Sequence, residues 1–544
     1  MSSTYPIQAL LLGVLLVLGE SSSQPTSGDR ATLLAIKNDW GNPKQLASWD
    51  PAVNADHCNW TGVACEGADG QRVVTGISLP NLNITGEVPE FMCNLTNLAR
   101  LDLSNNSLTG GFPGDALYPC SQLRFLDLSI NFFNRDLPGD ISRLSPAMEH
   151  LNLSCNHFSG AVPAAVAGLP ALKSLLLDNN QFTGAYPAAE ISKLGGLERL
   201  TLAFNAFAPA PAPLEFAKLT NLSYLWMSSM NMTGEIPKAY SSLTKLTLLA
   251  IMGNNLTGEI PAWVWQHQKL EHLYLFDNNL TGELARKVTA VNLVELDVSS
   301  NNLTGEIPED FGNLRNLNLL FLYMNQLTGT IPASMGMLPK LRDIRLFENK
   351  LSGELPPELG KHSPLGNLEV CMNNLSGTLP ESLCANGKLS DIVVFDNGFS
   401  GELPKNLGDC VLLNNIMMHN NSFSGNFPAK IWSFPMLLTV MIQNNSFTGA
   451  LPAKISGNIS RIDIGNNRFS GSFPASATGL HVFKAENNLL SGELPADMSK
   501  FPSLVELSLS GNQLTGSIPA SISLLQKLST LNLSDNRLSG AIPS

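Results

Sequence analysis

The chain runs to 544 residues, 44% hydrophobic and only 14% charged. That is too long for one ordinary domain of about 100–200 residues and too apolar for a disordered chain. Its formal net charge of -12 repels phosphate backbones and speaks against a nucleic-acid partner.

At the N-terminus, Ala9 to Leu18 is an apolar run of ten broken only by Gly13, followed by the small residues Ser21, Ser22 and Ser23. Residues 1–23 therefore read as a secretory signal peptide, although no Lys or Arg precedes Arg30. No later stretch carries about 18 uninterrupted apolar residues, so no membrane-spanning helix is expected in this sequence. Residues 24–68 read as a cap. Asp29 to Trp40 is expected to form an amphipathic helix, with Leu33, Leu34, Ile36 and Trp40 turned to the core. Trp49 and the segment Cys58-Asn-Trp-Thr-Gly-Val-Ala-Cys65 follow, and Cys58 and Cys65 are expected to bridge.

Residues 69–544 are a repeat. Leu249 to Pro261 reads LAIMGNNLTGEIP and Leu296 to Pro308 reads LDVSSNNLTGEIP. The frame L-x-L-x-x-N-x-L-T/S-G-x-I-P recurs about every 24 residues, in twenty copies from Ile77 onward. Each L-x-L is a short strand with its leucines inward and its x residues outward. One such strand cannot bury its apolar face alone, so stacked copies build a parallel sheet over a continuous core. The Asn carries both donor and acceptor and can satisfy backbone groups where the chain turns inward. It is present in eighteen copies, from Asn106 to Asn536, with Leu82 and Met230 as the exceptions. The Gly allows a turn with positive φ. The I-P pair is expected to form a second short extended segment.

Cys93 and Cys120 occupy the same offsets in adjacent repeats as Cys384 and Cys410. Strand spacing of about 4.8 Å suits disulfide Cα separations, so both pairs are expected to bridge. Cys155 and Cys371 lie many repeats apart and are expected to stay free. Fifteen Asn-x-Ser/Thr sequons are candidate surface glycan sites: Asn59, Asn83, Asn94, Asn105, Asn152, Asn221, Asn231, Asn255, Asn279, Asn302, Asn374, Asn420, Asn444, Asn458 and Asn532. The chain stops at Ser544 inside its last repeat. A partial product of a longer protein is the expectation, with a natural secreted form as the alternative.

No phosphate-binding loop, dinucleotide fingerprint, HExxH or GxSxG motif occurs. His267 and His272 flank Glu271 with the wrong spacing for a helical zinc site, and both histidines read as ordinary surface positions. No cofactor, metal or catalytic residue is expected.

The outward x residues point instead to binding. Repeats one to four place Ser78, Asp102, Asp127 and Asn152, then Pro80, Ser104, Ser129 and Ser154, on this face. The central repeats place Trp226, Met252, Tyr274, Phe276, Asp297, Phe321, Tyr323, Arg345, Phe347, Glu369, Phe395 and Met417 there. A contiguous stripe of large apolar side chains facing solvent marks an interaction surface. Its aromatics would anchor an extended peptide, and Asp297, Arg345 and Glu369 would fix polar groups. An oligomer interface or ordinary strand preference for aromatics is the competing explanation.

The cap D-R-A-T-L-L-A-I-K…W…C-N-W-T-G-V-A-C and the L-T-G-x-I-P repeats resemble the extracellular region of plant leucine-rich-repeat receptor-like kinases. The two cysteine pairs resemble the HAESA-like, peptide-hormone branch. The resemblance implies an α/β solenoid, a right-handed superhelical array whose concave side binds a secreted peptide. It also implies a shorter leucine-rich-repeat co-receptor kinase as partner, and a transmembrane helix and Ser/Thr kinase beyond this sequence, with a cell-surface location for the whole. Several such receptors read a peptide's C-terminal carboxylate with Arg-x-Arg, which would fall on Asn415 and Met417 here; neither can do this, so either the ligand differs or recognition has moved towards Arg345. The competing functions are a secreted inhibitor of microbial wall-degrading enzymes, a kinase-less receptor-like protein in defence and a structural wall glycoprotein.

Overall fold

The computed structural model describes residues 28–68 and 72–543. The apolar run Ala9 to Leu18 lies outside the described residues. The helix Asp29–Asp39 opens the fold, with Leu33 and Ile36 fully buried, Trp40 nearly so and Leu34 packed against the core from the edge. Three tryptophans tie the cap together through their indole N–H groups. Trp40 donates to the Glu87 carbonyl at 2.9 Å, Trp49 to Thr61 at 2.8 Å and Trp60 to Asn54 at 2.9 Å. The strand Val63–Glu66 pairs antiparallel with Val73–Ser78 and closes the end of the sheet. Cys65 in this hairpin is bridged to Cys58 in the preceding 3-10 turn His57–Asn59, with Cα atoms 5.6 Å apart.

From Val73–Ser78 to Thr530–Asn532, twenty strands lie side by side and parallel in one sheet. We number the repeats one to twenty by these strands. Their register never slips: Leu101, Leu126, Leu151 and Leu175 are direct partners, as are Leu296, Leu320, Ile344 and Leu368. Fixed register follows from the period-two side chains, because a slip by one residue would expose every leucine.

The repeat asparagine holds the inward turn. Asn301 donates from Nδ2 to the carbonyls of Leu275, Val298 and Ser299 at 3.0–3.1 Å, and its Oδ1 accepts from the Leu280 N–H at 3.0 Å. The same four bonds recur at Asn131, Asn278, Asn325 and Asn512. Just before it sits a residue with positive φ that is rarely glycine, such as Ile130 (53°), Phe204 (54°) and Met324 (53°). Strain there is offset because the neighbouring repeat accepts the residue's N–H; that of Met324 donates to the Phe347 carbonyl at 3.0 Å.

The second extended segment differs from expectation. It covers the L-T/S-G stretch, as in Asn255–Thr257 and Ser446–Ala450, and not the I-P pair. The proline follows it and sets the entry to a short 3-10 turn, as Pro308 does for Glu309–Asn313 and Pro404 for Lys405–Asp409. A fixed proline φ suits a helix start better than a strand. The outer side is accordingly built mainly of 3-10 turns. After the cap helix, the α-helices among the described residues are single turns such as Ala262–Trp265. Two further disulfides, Cys93–Cys120 and Cys384–Cys410, join neighbouring repeats with Cα separations of 4.9 and 6.1 Å. Cys155 and Cys371 are unbridged, and burial pushes the Cys371 thiol up to about 12.

Candidate functional site

The outward positions of twenty registered strands form straight columns across the sheet. The middle column runs Trp226, Ala250, Tyr274, Asp297, Phe321, Arg345, Glu369, Val393, Met417. Two residues further along each strand, Met252, Phe276, Tyr323, Phe347 and Phe395 stand in the next column. The twelve residues named from the sequence thus share one face, over repeats seven to fifteen. Eleven are half-buried; Tyr323 and Phe347 stack at 4.4 Å between centroids. Asp297 departs from the exposed position expected of it and is only 7% exposed. Its small side chain is sunk between the strands of Tyr274 and Phe321.

Burial raises the Asp297 carboxyl above the usual carboxylate range, against hydrogen bonds from the Ser299 N–H and hydroxyl at 3.0 and 2.6 Å and the attraction of Arg345. Glu369 is raised by burial too. Arg345 is already engaged. It makes a two-pronged pair with Asp343 at 3.0 and 3.0 Å, stands 3.6 Å from Glu369 and lies over the Phe321 ring at 4.7 Å. A guanidinium held by two carboxylates has little charge left for a ligand carboxylate, so Arg345 is a poor substitute for a carboxylate reader. Tyr274 donates to Glu295, and its phenol is raised by burial and by this bond.

Sequence reasoning missed a third outward column, one residue before the buried leucine. It contains Tyr224, His272, Glu295, Asp343, Asn367 and Asp391. Strand alternation alone would have found it, since that residue shares the outward face with the x of L-x-L. The expectation of polar early repeats also needs amending. Phe125 in this column stacks on His150 at 4.2 Å and lies under Arg100, while Ile130 and Phe132 are about half exposed at the strand ends. His267 is not a surface residue: it is 7% exposed, and its ring bonds the Leu243 carbonyl and the N–H groups of Lys269 and Leu270. Asn152 stands apart from the other sequons. It is buried in the sheet, with Oδ1 taken by Ser154 and Nδ2 donating to Asp127, and leaves no room for a glycan. Thirteen of the other sequons are exposed, and Asn221 is half-buried.

His57, Cys58 and Cys65 have metal-ligand spacing, but both sulfurs are spent in the disulfide. A hollow of about 590 Å³ opens on the flank among Glu283, Arg286, Glu306 and Pro308. Beside it, the segment 284–290 of repeat nine makes no helical turn. No helix of the described residues is long and apolar enough to cross a membrane.

Comparison with known proteins gives the same architecture. A leucine-rich-repeat N-terminal domain matches residues 26–66, and leucine-rich-repeat families match 97–116, 147–169, 291–351, 503–525 and 527–544. Receptor-like protein 3 of Arabidopsis thaliana is 33% identical over 135 residues, 23% of this chain and 18% of that protein. The leucine-rich-repeat receptor protein kinase EMS1 of the same plant is 33% identical over 100 residues, 18% of this chain and 8% of that protein. The matches thus span less than a fifth of either relative. Among solved structures, the Arabidopsis HAESA ectodomain in complex with an N-terminally extended IDA peptide hormone superimposes with a TM-score of 0.91 at 36% identity, over 95% of this chain and 86% of that one. HAESA in complex with IDA and the co-receptor SERK1 gives 0.90 at 36%, over 95% and 87%. PEPR1 in complex with AtPEP1 gives 0.76 at 28%, over 95% and 83%. A likeness this extensive, over nearly the whole of another protein's ectodomain, places the chain among the leucine-rich-repeat ectodomains of plant receptor kinases.

Proposed function

We propose that this chain is the extracellular ligand-binding region of a plant receptor kinase, that it perceives a secreted peptide along the sheet-lined face, and that it recruits a shorter leucine-rich-repeat co-receptor kinase at the cell surface. The observation that carries the reading is the registered stripe of half-buried aromatic and apolar side chains from Trp226 to Met417. An extended peptide laid across the strands meets a new pair of outward side chains about every 4.8 Å. Its anchors would be Tyr274, Phe276, Phe321, Tyr323, Phe347 and Phe395, with Trp226, Met252 and Met417 at the two ends. The complexes of HAESA with IDA and SERK1 and of PEPR1 with AtPEP1 support peptide and co-receptor as partners. In this reading residues 24–68 cap the array, residues 69–544 form it, and glycans on the exposed sequons keep other surfaces from docking.

The ligand end is read differently from an Arg-x-Arg scheme. Asn415 and Met417 offer no cation, Asn415 instead donating to Asp391 at 2.7 Å. The test is the double variant Phe321→Ser, Tyr323→Ser, secreted and compared with wild type against a panel of secreted plant peptides by calorimetry. Two central aromatic anchors are worth about 2 kcal/mol or more each, so affinity should fall about a thousandfold. The melting temperature should stay within a few degrees, because neither ring is in the buried core. Unchanged affinity would sink the reading.

A further inference from the structure

We infer that Asp297 is the floor of an aromatic cage that receives a cationic side chain, a guanidinium or ammonium group, from the ligand; this rests on the peptide reading and names the ligand's chemistry. Asp297 and Ser299 occupy the outward positions of repeat ten. The strand before carries Tyr274 and Phe276 at those positions, and the strand after carries Phe321 and Tyr323. Two short side chains between two aromatic pairs make a trough. Its walls are two strand spacings apart, about 9.6 Å. A cation centred there lies within the roughly 6 Å at which ring faces attract it.

The carboxylate at the floor is incompletely used. An Asp or Asn followed two residues later by Ser recurs on this face, and in each case one oxygen accepts from that Ser. In repeat two the other oxygen of Asp102 is paired with Arg100 at 3.2 Å, and in repeat three that of Asp127 accepts from Asn152 at 2.9 Å. Asp297 is 93% buried by residue, yet among the described residues nothing donates to its Oδ2. In repeat four Asn152 fills the same role without charge. An Asn at 297 would therefore satisfy the fold, and the charge is surplus to it. A mostly buried carboxylate whose second oxygen accepts no hydrogen bond and whose charge is balanced only from a distance by Arg345 is costly to keep ionised, and a ligand cation would supply the missing counter-charge.

The surroundings have the matching sign. From repeat nine to repeat fourteen the outward columns add Glu295, Asp343, Glu369 and Asp391 against the single guanidinium of Arg345. Arg345 itself displays the chemistry in miniature, lying over the Phe321 ring while paired with carboxylates.

The experiment selects peptides from a random octapeptide display library on the wild-type chain and on Asp297→Asn and Phe321→Leu. Saturation-transfer NMR on N-acetyl-arginine methylamide, against N-acetyl-norleucine methylamide, probes the cage directly. The expected result is a fixed Arg or Lys position in wild-type-selected peptides, lost in both variants. Those peptides should bind Asp297→Asn about tenfold or more weaker, and the arginine signal should depend on Asp297. Peptides enriched without a basic position, or a basic preference that survives Asp297→Asn, overturn the cage and leave the peptide reading standing. No enriched peptide together with an Asp297-dependent arginine signal overturns the peptide reading and keeps the cage. Failure of both readouts overturns both. Melting of Asp297→Asn at or above the wild-type temperature shows that any loss is not unfolding.

Discussion

At the scale of single residues, the molecule separates groups that serve the fold from one that strains it. Asn301 serves it: four hydrogen bonds to buried backbone groups leave with its side chain. Asn301→Ala should cost about 3 kcal/mol, since each orphaned buried group costs about 1–3 kcal/mol before relaxation. Native-state hydrogen exchange should show the lost protection confined to repeats nine to eleven. Asp297 is the opposite case. Its folded-state pKa is raised by burial, so its charge opposes folding. Below the ordinary carboxylate pKa both states are protonated and there is no penalty. As pH rises through the raised folded-state value the penalty develops, and it stays above it. Asp297→Asn should therefore melt at or above the wild-type temperature at pH 7, with the gap closing towards about pH 3.5. A variant that is less stable at neutral pH would show that the carboxylate has an internal partner. Neither role is written in residue type alone: the repeat frame marks Asn301, but Asp297 looks like any outward polar residue until its neighbours and burial are known.

At the scale of elements, packing between repeats holds the array. Phe399, Phe423 and Phe447 stack at 6.0 and 5.8 Å beneath the second line of short strands. All three are fully buried. Phe423→Ala should cost about 4 kcal/mol, the usual price of an aromatic deleted from a core, measurable as a fall in denaturant midpoint with Cys384–Cys410 still bridged. What was legible here was the L-x-L strand and the asparagine, because both follow from a strict period. The positive-φ position was not, because Ile130, Phe204 and Met324 share a backbone conformation and no side-chain property. The I-P pair reads as a second extended segment because proline commonly ends one, whereas here the proline starts a 3-10 turn. His267 reads as surface because its offset falls outside the frame. The 24-residue average also hides that the outer part of repeat nine is irregular.

At the scale of the whole molecule, the fold and its parent family follow from a sequence signal repeated twenty times, while the site depends on which columns face one another. Only a fixed register across strands far apart in sequence brings Tyr274, Asp297 and Phe321 into line. The net charge of -12 acts at this scale as well. A cationic ligand would be steered inward, and its association rate, followed by stopped-flow fluorescence, should fall about tenfold between 50 and 300 mM salt, with dissociation much less affected. A salt-independent association rate would contradict the steering. Strands about 4.8 Å apart make the face a ruler, and a peptide laid along it has a ruler of its own. A polyproline-II chain advances about 3.1 Å per residue and shows the same side every third residue, about 9.3 Å, close to the 9.6 Å between alternate strands. A β-extended chain repeats its side about every 6.6 Å and drifts out of step within a few residues. Two scales that agree act as a vernier: a ligand with a three-residue rhythm would meet alternate strands such as those of Tyr274 and Phe321 in phase, and a shift of one residue would put every contact out at once.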